Sequence, residues 1–242
     1  MKLPKIVMTP KEKAQRAALP RAVKPKRAAT IVLIQGPADN PRILMGQRGK
    51  GHDFMPSVYV FPGGRVDRAD SYAPYVGELS SRTETILEAA YPPRAAKALV
   101  LAAIRETYEE TSLILGRAET TSKKINHASW QEFLDKGLMP DMSGIEVFGR
   151  AITPPHRHKR FDTWFFVKHL EGQVADTADS AELLNVDWFT FDQIDDLKTH
   201  RATDMMLQVL KKYLSRDTAP RKIFYSRMAR GKYVMSDFPI TD

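Results

Sequence analysis

The sequence predicts an α+β fold, a mixed sheet between helices in an α/β/α sandwich, and three observations lead there. Stretches rich in β-branched and aromatic residues recur along most of the 242-residue chain. Two long amphipathic segments, one from Pro93 to about Ser112 and one from about Thr203 to Leu214, interrupt them. Strands and helices do not alternate regularly and there is no internal repeat, which argues against a parallel barrel.

The elements follow in order. Residues 28–34 (AATIVLI) and 42–48 (RILMGQR) read as strands joined by a turn at Gly36, Pro37, Asn40 and Pro41. A third strand, 58–61 (VYVF), runs into a turn at Pro62, Gly63 and Gly64. Residues 65–92 are irregular, with a short helix expected where Ser81 and Glu84 have capping-box spacing. Pro92 and Pro93 open the long helix, and Pro93 suits a first turn because its missing N–H would have no partner there. Beyond it, 113–115 (LIL) reads as a buried strand, and 145–152, 161–170 and 184–191 supply three more. A short helix is expected at 192–197. In the second long helix Met206, Leu207, Leu210 and Leu214 make the apolar stripe. Residues 222–228 and 232–238, flanking Ala229, Arg230 and Gly231, have the shape of a hairpin. These elements divide the chain into an arm (1–27), a main domain (28–216) with an insertion at about 71–94, and a C-terminal hairpin extension (217–242).

A hydrophobic content of 43% is ordinary for a globular core, and no apolar run is long enough to span a membrane. The absence of cysteine excludes disulfides, thiolate nucleophiles and Cys-type zinc sites. It is compatible with a reducing compartment, and a cytoplasmic location is expected. The net charge of +8 is concentrated in residues 1–27, where nine Lys and Arg face only Glu12, while the rest of the chain is balanced. With Pro4, Pro10, Pro20 and Pro25 and no secretory apolar stretch, this segment reads as a flexible or loosely docked arm. Contact with nucleic acid or a membrane surface, or a targeting role, are the alternatives. Nucleic acid is not the expected partner of the balanced domain, and a homodimer is left open.

Residues 102–116 (AAIRETYEETSLILG) carry the functional signal. On a helix Glu106, Glu109 and Glu110 fall within an arc of roughly 100°, opposite Val100, Leu101, Ile104 and Tyr108. Like charges at this spacing repel by a few tenths of a kcal/mol per pair. A divalent cation, Mg²⁺ or Mn²⁺, would relieve that repulsion, since both favour hard carboxylate oxygens together with phosphates and water. The competing reading is a solvated acidic face.

Context favours the cation. FPGGRVDRAD followed by AAIRETYEETSLIL resembles the signature of the Nudix hydrolases, G-x5-E-x7-R-E-U-x-E-E-x-G-U with U aliphatic. Gly64 stands at its first glycine, and Arg105, Glu106, Glu109 and Glu110 stand at its charged core. Three departures are plain. Asp70 replaces a glutamate, which shortens or removes that acidic role; 34 residues separate Asp70 from Arg105 where the pattern has seven; and Ser112 replaces the glycine that ends the helix, where a left-handed backbone is often needed. The long insertion, together with RAITPPHRHKRFDTWFFV, resembles the subfamily related to peroxisomal coenzyme A diphosphatase.

That resemblance implies a Nudix-type sandwich and a metal-dependent hydrolase acting on a nucleotide-diphosphate small molecule. Coenzyme A or an acyl-CoA leads; ADP-ribose, dinucleotide polyphosphates and nucleotide sugars stay open. Metal ions serve such chemistry by neutralising phosphate oxygens and acidifying water. Glu106, Glu109 and Glu110 are the expected ligands, with one of them or another carboxylate as general base. Arg105 is placed to orient a glutamate through a charge-assisted hydrogen bond. Gly63 and Gly64 let backbone approach the site, and Arg48, Arg157 and Arg160 are candidate phosphate partners, as is Lys159. Glu182 is either a further acid near the site or, the preferred reading, an ordinary loop glutamate; His156 and His158 suggest a metal site less well than a solvated loop. Tyr72, Tyr75 and Tyr91 either stack on a base, close a lid or pack the insertion down. A different class of reading, a non-catalytic nucleotide- or RNA-binding module, is motivated by Asp70, Ser112 and the basic arm.

Overall fold

The computed structural model describes residues 23–49, 57–172, 177–216, 218–229 and 232–239, together with Pro10 and Ala14. Most of the expected arm, and Arg230 and Gly231 of the expected hairpin turn, lie outside the described residues.

The elements in chain order are β1 (Lys26–Gln35), β2 (Arg42–Arg48), β3 (Tyr59–Val60), β4 (Gly63–Arg65), a 3₁₀ turn (Ala69–Ser71), α1 (Ser81–Glu88) and α2 (Pro93–Thr111). They continue with β5 (Gly116–Ala118), α3 (Ala128–Asp135), β6 (Leu138–Pro140), β7 (Glu146–Ile152), β8 (Phe161–His169) and β9 (Leu183–Thr190). Last come α4 (Phe191–Asp195), α5 (Arg201–Leu214), β10 (Ile223–Ala229) and β11 (Lys232–Phe238). The main sheet has the order β11-β10-β7-β8-β1-β2-β3, with β4 beside β1 and β9 beside β2. Pairs β1–β8 and β7–β10 are parallel and the others antiparallel, so the sheet is mixed.

Alternation along β1 builds the layers. Ala29, Ile31 and Leu33 face a core completed by α1, α2 and α3, while Val32 and Ile34 face a second core closed by α4 and α5. The result is the expected α/β/α sandwich. Leu99, Val100 and Ile104 of α2 are fully buried in the first core. At about 1.5–3 kcal/mol each, their burial far exceeds the few tenths that the neighbouring glutamates cost by repulsion.

Several expectations are corrected. Lys26 and Arg27 already pair with Phe161 and Asp162, so the first strand begins inside the segment assigned to the arm. The Gly63-Gly64 stretch is not a free turn but strand β4, whose residues Gly63, Gly64 and Arg65 pair with Thr30, Ala29 and Ala28. Ser80, not Ser81, caps α1 by accepting a hydrogen bond from the Thr83 N–H. Residues 113–115 form no strand, although Leu113 and Leu115 are buried; the strand starts at Gly116 and pairs with β6. The segment carrying α3 gave no sequence signal.

The insertion packs as part of the body. Thr83 and Arg82 of α1 both bond Glu146 Oε2, at 2.6 and 2.9 Å, while Ile86 and Leu87 enter the core. Tyr91 donates its hydroxyl to Asp162 at 2.7 Å. Tyr75 accepts from Lys97, and Tyr72 stays 44% exposed beneath the Arg94 guanidinium. The β10–β11 hairpin extends the same sheet and gives Ile223, Tyr225 and Phe238 to the first core. Among the described residues, no helix is long and apolar enough to cross a membrane.

Ser112 ends α2 in the left-handed region, at φ 59°, so the backbone keeps the conformation that a glycine would adopt without cost. Ser112→Gly is therefore expected to stabilise the protein by about 1 kcal/mol, seen as a raised midpoint in thermal denaturation. An unchanged or lower midpoint would contradict the strain assigned to this position.

Candidate functional site

Strand β4 is held against β1 on one side and meets the acidic face of α2 on the other. The Gly63 N–H donates to Glu110 Oε2 at 2.7 Å, which ties the glycine strand to the end of the helix. One turn earlier, Arg105 is the centre of a buried network. Its Nε and Nη2 donate to the two oxygens of Asp70 at 2.8 and 3.1 Å, Nη2 also donates to the Arg65 carbonyl at 3.0 Å, and Nη1 donates to Glu109 Oε2 at 2.8 Å. Nη1 lies equally close, 2.8 Å, to Glu106 Oε1. Asp70 is fully buried and takes two further donors, the Asp67 N–H at 2.7 Å and the Trp130 indole N–H at 2.9 Å. Asp70 is thus the anchor for Arg105.

Burial works against the Arg105 charge, but Asp70, Glu106 and Glu109 outweigh it and hold the guanidinium above its ordinary range. The glutamates behave in the opposite way. Burial pushes Glu106 up to about 7 against the pull of Arg105, and pushes Glu110 up to about 8 despite its bond from Gly63. Glu182 adds to both shifts, and Arg48 opposes the one on Glu110. Burial thus disfavours the charged form of both acids, and the neighbouring carboxylates add to the effect.

A hard divalent cation fits this donor set, and Glu106, Glu109 and Glu110 are the groups able to hold it. The backbone makes room for the carboxylate as well: a Cβ on Gly64 would lie 2.4 Å from Glu106 Oε2. Among the described residues no three Asp, Glu or His side chains are already drawn into a cation cage. Arg105 Nη1 lies 2.8 Å from one oxygen each of Glu106 and Glu109. Gly64→Ala, whose methyl would push Glu106 aside, is expected to lower activity roughly tenfold while the protein still folds. Steady-state kinetics beside a far-UV spectrum checks it.

Of the sequence-derived candidates, Arg105, Glu106, Glu109, Glu110, Gly63 and Gly64 come together, with Arg48 close enough to act on Glu110. Arg157 and Arg160 do not join them through any contact described. Arg157 acts on His200, which caps α5 on the opposite face of the sheet. Arg160 donates to the carbonyls of Thr153 and Val23 and fastens the start of β1. His156 is buried, not solvated. Glu182 is more than a loop residue: antiparallel pairing of β9 with β2 sets Leu183 against Arg48, which brings the neighbouring acid toward the site. Trp130 escaped sequence reading altogether, because a lone buried tryptophan has no local signature.

No protein-family profile matches the chain. Curated proteins similar to it include the acyl-coenzyme A diphosphatases NUDT19 of Xenopus laevis, 23% identical over 211 residues, and of Gallus gallus, 27% identical over 207 residues. The matches cover 66% and 63% of this chain and 55% and 54% of those proteins, so the chain spans about half the length of the curated relatives it matches. Among solved structures, a NUDIX hydrolase from Alicyclobacillus acidocaldarius superposes with a TM-score of 0.60 at 24% identity, covering 82% of this chain and 99% of that one. This likeness establishes the fold.

Proposed function

We propose that the chain is a member of the Nudix superfamily and a divalent-metal-dependent hydrolase of the diphosphate in a nucleotide conjugate, with coenzyme A or an acyl-CoA as substrate. The observation that carries the reading is the acidic face of α2, with two carboxylates that burial disfavours in charged form, set against a glycine strand that leaves room for Glu106 and bonds Glu110. The substrate class is supported by similarity to proteins named acyl-coenzyme A diphosphatase.

In this reading Glu106, Glu109 and Glu110 hold Mg²⁺ or Mn²⁺, which when bound neutralises phosphate oxygens and lowers the pKa of water. Arg105, fixed by Asp70, orients Glu106 and Glu109. Arg48 provides positive charge beside Glu110 for the substrate phosphates. The engagement of Asp70 by Arg105 and the left-handed cap at Ser112 support the catalytic reading over a non-catalytic module.

A panel of coenzyme A, acyl-CoA, ADP-ribose, a dinucleotide polyphosphate and a nucleotide sugar, incubated with Mg²⁺ or Mn²⁺ and resolved by mass spectrometry, tests the proposal. Cleavage of the coenzyme A diphosphate is expected. Failure to cleave any of these with either metal would reject it.

The raised acids also predict a pH dependence. Glu106 and Glu110 keep their protons to about 7 and about 8 in the fold, whereas an ordinary glutamate releases its proton near 4.5. The stability they contribute is therefore complete below 4.5 and declines as pH rises through the folded values. A cation that binds the ionised carboxylates opposes this loss. With a chelator present the thermal midpoint is expected to fall between about pH 4.5 and about pH 8, and added Mn²⁺ to flatten the fall. Identical slopes with and without Mn²⁺ would argue against binding at these acids.

A further inference from the structure

We infer that Trp130 is a positioning residue of the cation site, acting through Asp70 and Arg105; this rests on the functional reading above. Its indole is fully buried on α3, a helix that belongs neither to the glycine strand nor to α2. Trp130 Nε1 donates to Asp70 Oδ1 at 2.9 Å, and the same oxygen accepts from Arg105 Nε at 2.8 Å. The other oxygen, Oδ2, accepts from the Asp67 N–H at 2.7 Å and Arg105 Nη2 at 3.1 Å. Each carboxylate oxygen thus has two donors, and the group cannot rotate without breaking several bonds.

The superfamily pattern has a glutamate where this chain has Asp70. An aspartate is one methylene shorter, and the space and bonding capacity that it leaves must be met by something else. Trp130 meets both. With Asp70 fully buried, no water can stand in for the indole N–H, and indole donates without accepting, so it fills a lone pair of Oδ1 without competing for the donors of Arg105. Arg105 then presents Nη1 to Glu106 and Glu109, both at 2.8 Å. The helix carrying Trp130 is fixed on α2 by edge-to-face contact of Phe133 with Tyr108, ring centres 5.7 Å apart, and with Trp130 itself at 5.8 Å. Two acids of the site therefore take their orientation from an indole outside the motif.

A purely structural tryptophan predicts that phenylalanine suffices in its place. A positioning tryptophan predicts that the N–H matters, so the test compares wild type, Trp130→Phe, Trp130→His and the double variant Trp130→Phe/Asp70→Glu. Mn²⁺ affinity is measured by calorimetry without substrate, alongside kcat, KM and urea denaturation. Trp130→Phe is expected to weaken Mn²⁺ binding by roughly ten- to a hundredfold and to lower kcat more than it changes KM. Trp130→His, which keeps a ring N–H, should recover part of the loss, and so should the longer acid in the double variant, making the two changes non-additive. If Trp130→Phe binds Mn²⁺ and turns over within about twofold of wild type, the inference is overturned even if stability falls. If Trp130→Phe does not fold, Trp130→His decides alone: wild-type Mn²⁺ affinity supports a role for the N–H, and an affinity as low as that of a Glu109→Gln control overturns it. Wild-type protein that binds no Mn²⁺ would instead defeat the functional reading on which the inference stands.

Discussion

Replacing Glu110 by glutamine is expected to abolish most of the proposed activity, lowering turnover by at least about a hundredfold, while leaving the protein as stable as before or more so. A residue that only supports a metal ligand costs up to about that factor when lost, and a ligand itself costs no less. The amide oxygen can still accept from the Gly63 N–H, so the tie between β4 and α2 survives. What disappears is a charge whose burial raised the acid to about 8, and with it the penalty of ionising there. Activity and stability should therefore move in opposite directions, which an ordinary core mutation does not do. Glu109→Gln should also lose activity; since that acid is 29% exposed, its stability should scarcely change. Kinetics with Mg²⁺ or Mn²⁺, beside urea denaturation, measures both. Undiminished turnover in the two variants would remove this site from the reaction.

Arg105→Met is expected to be the most destabilising single change considered, at about 3–5 kcal/mol by urea denaturation. The guanidinium is 5% exposed and Asp70 is fully buried, so truncation leaves a carboxylate in the interior with only the Trp130 and Asp67 donors. Set against a typical total of about 5–15 kcal/mol, this is a large share. Asp70→Asn should cost less, because Arg105 keeps Glu106 and Glu109 as partners. A loss below about 1 kcal/mol for Arg105→Met would mean that the network is not coupled to folding.

The acidic arc was legible in sequence because it depends on local geometry: three glutamates at helical spacing lie on one side of α2 whatever the rest of the chain does. Gly63 and Gly64 were legible for a related reason, since only a glycine at position 64 leaves the space that Glu106 fills, and only one at position 63 lies so close against Ala29 and Thr30 of β1. The long insertion did not hide the motif's partners, because lengthening a loop from seven to 34 residues costs only about 1–2 kcal/mol of closure entropy. The remainder depended on pairing that no short window contains. Glu182 comes to the site through the register of β9 on β2, and Trp130 through the packing of α3 on α2. Arg160 looked like a phosphate partner because its neighbours are basic, and two of its donors go to the backbone carbonyls of Thr153 and Val23. The 113–115 stretch misled for a different reason: apolar residues buried in a loop read like a strand, and only the pairing of Gly116 with Pro140 marks where extended structure begins.

The parallel seating of β10 on β7 has a consequence for how the protein is made. During synthesis on the ribosome the carboxylate helix and most of the sheet emerge well before Tyr225 and Phe238, which the first core needs. Until then β7 presents an open backbone edge and the core beside it lacks a wall, a state prone to pairing with other chains. The nascent protein would be most exposed to misassociation, and most dependent on chaperones, after every residue of the site has already been polymerised.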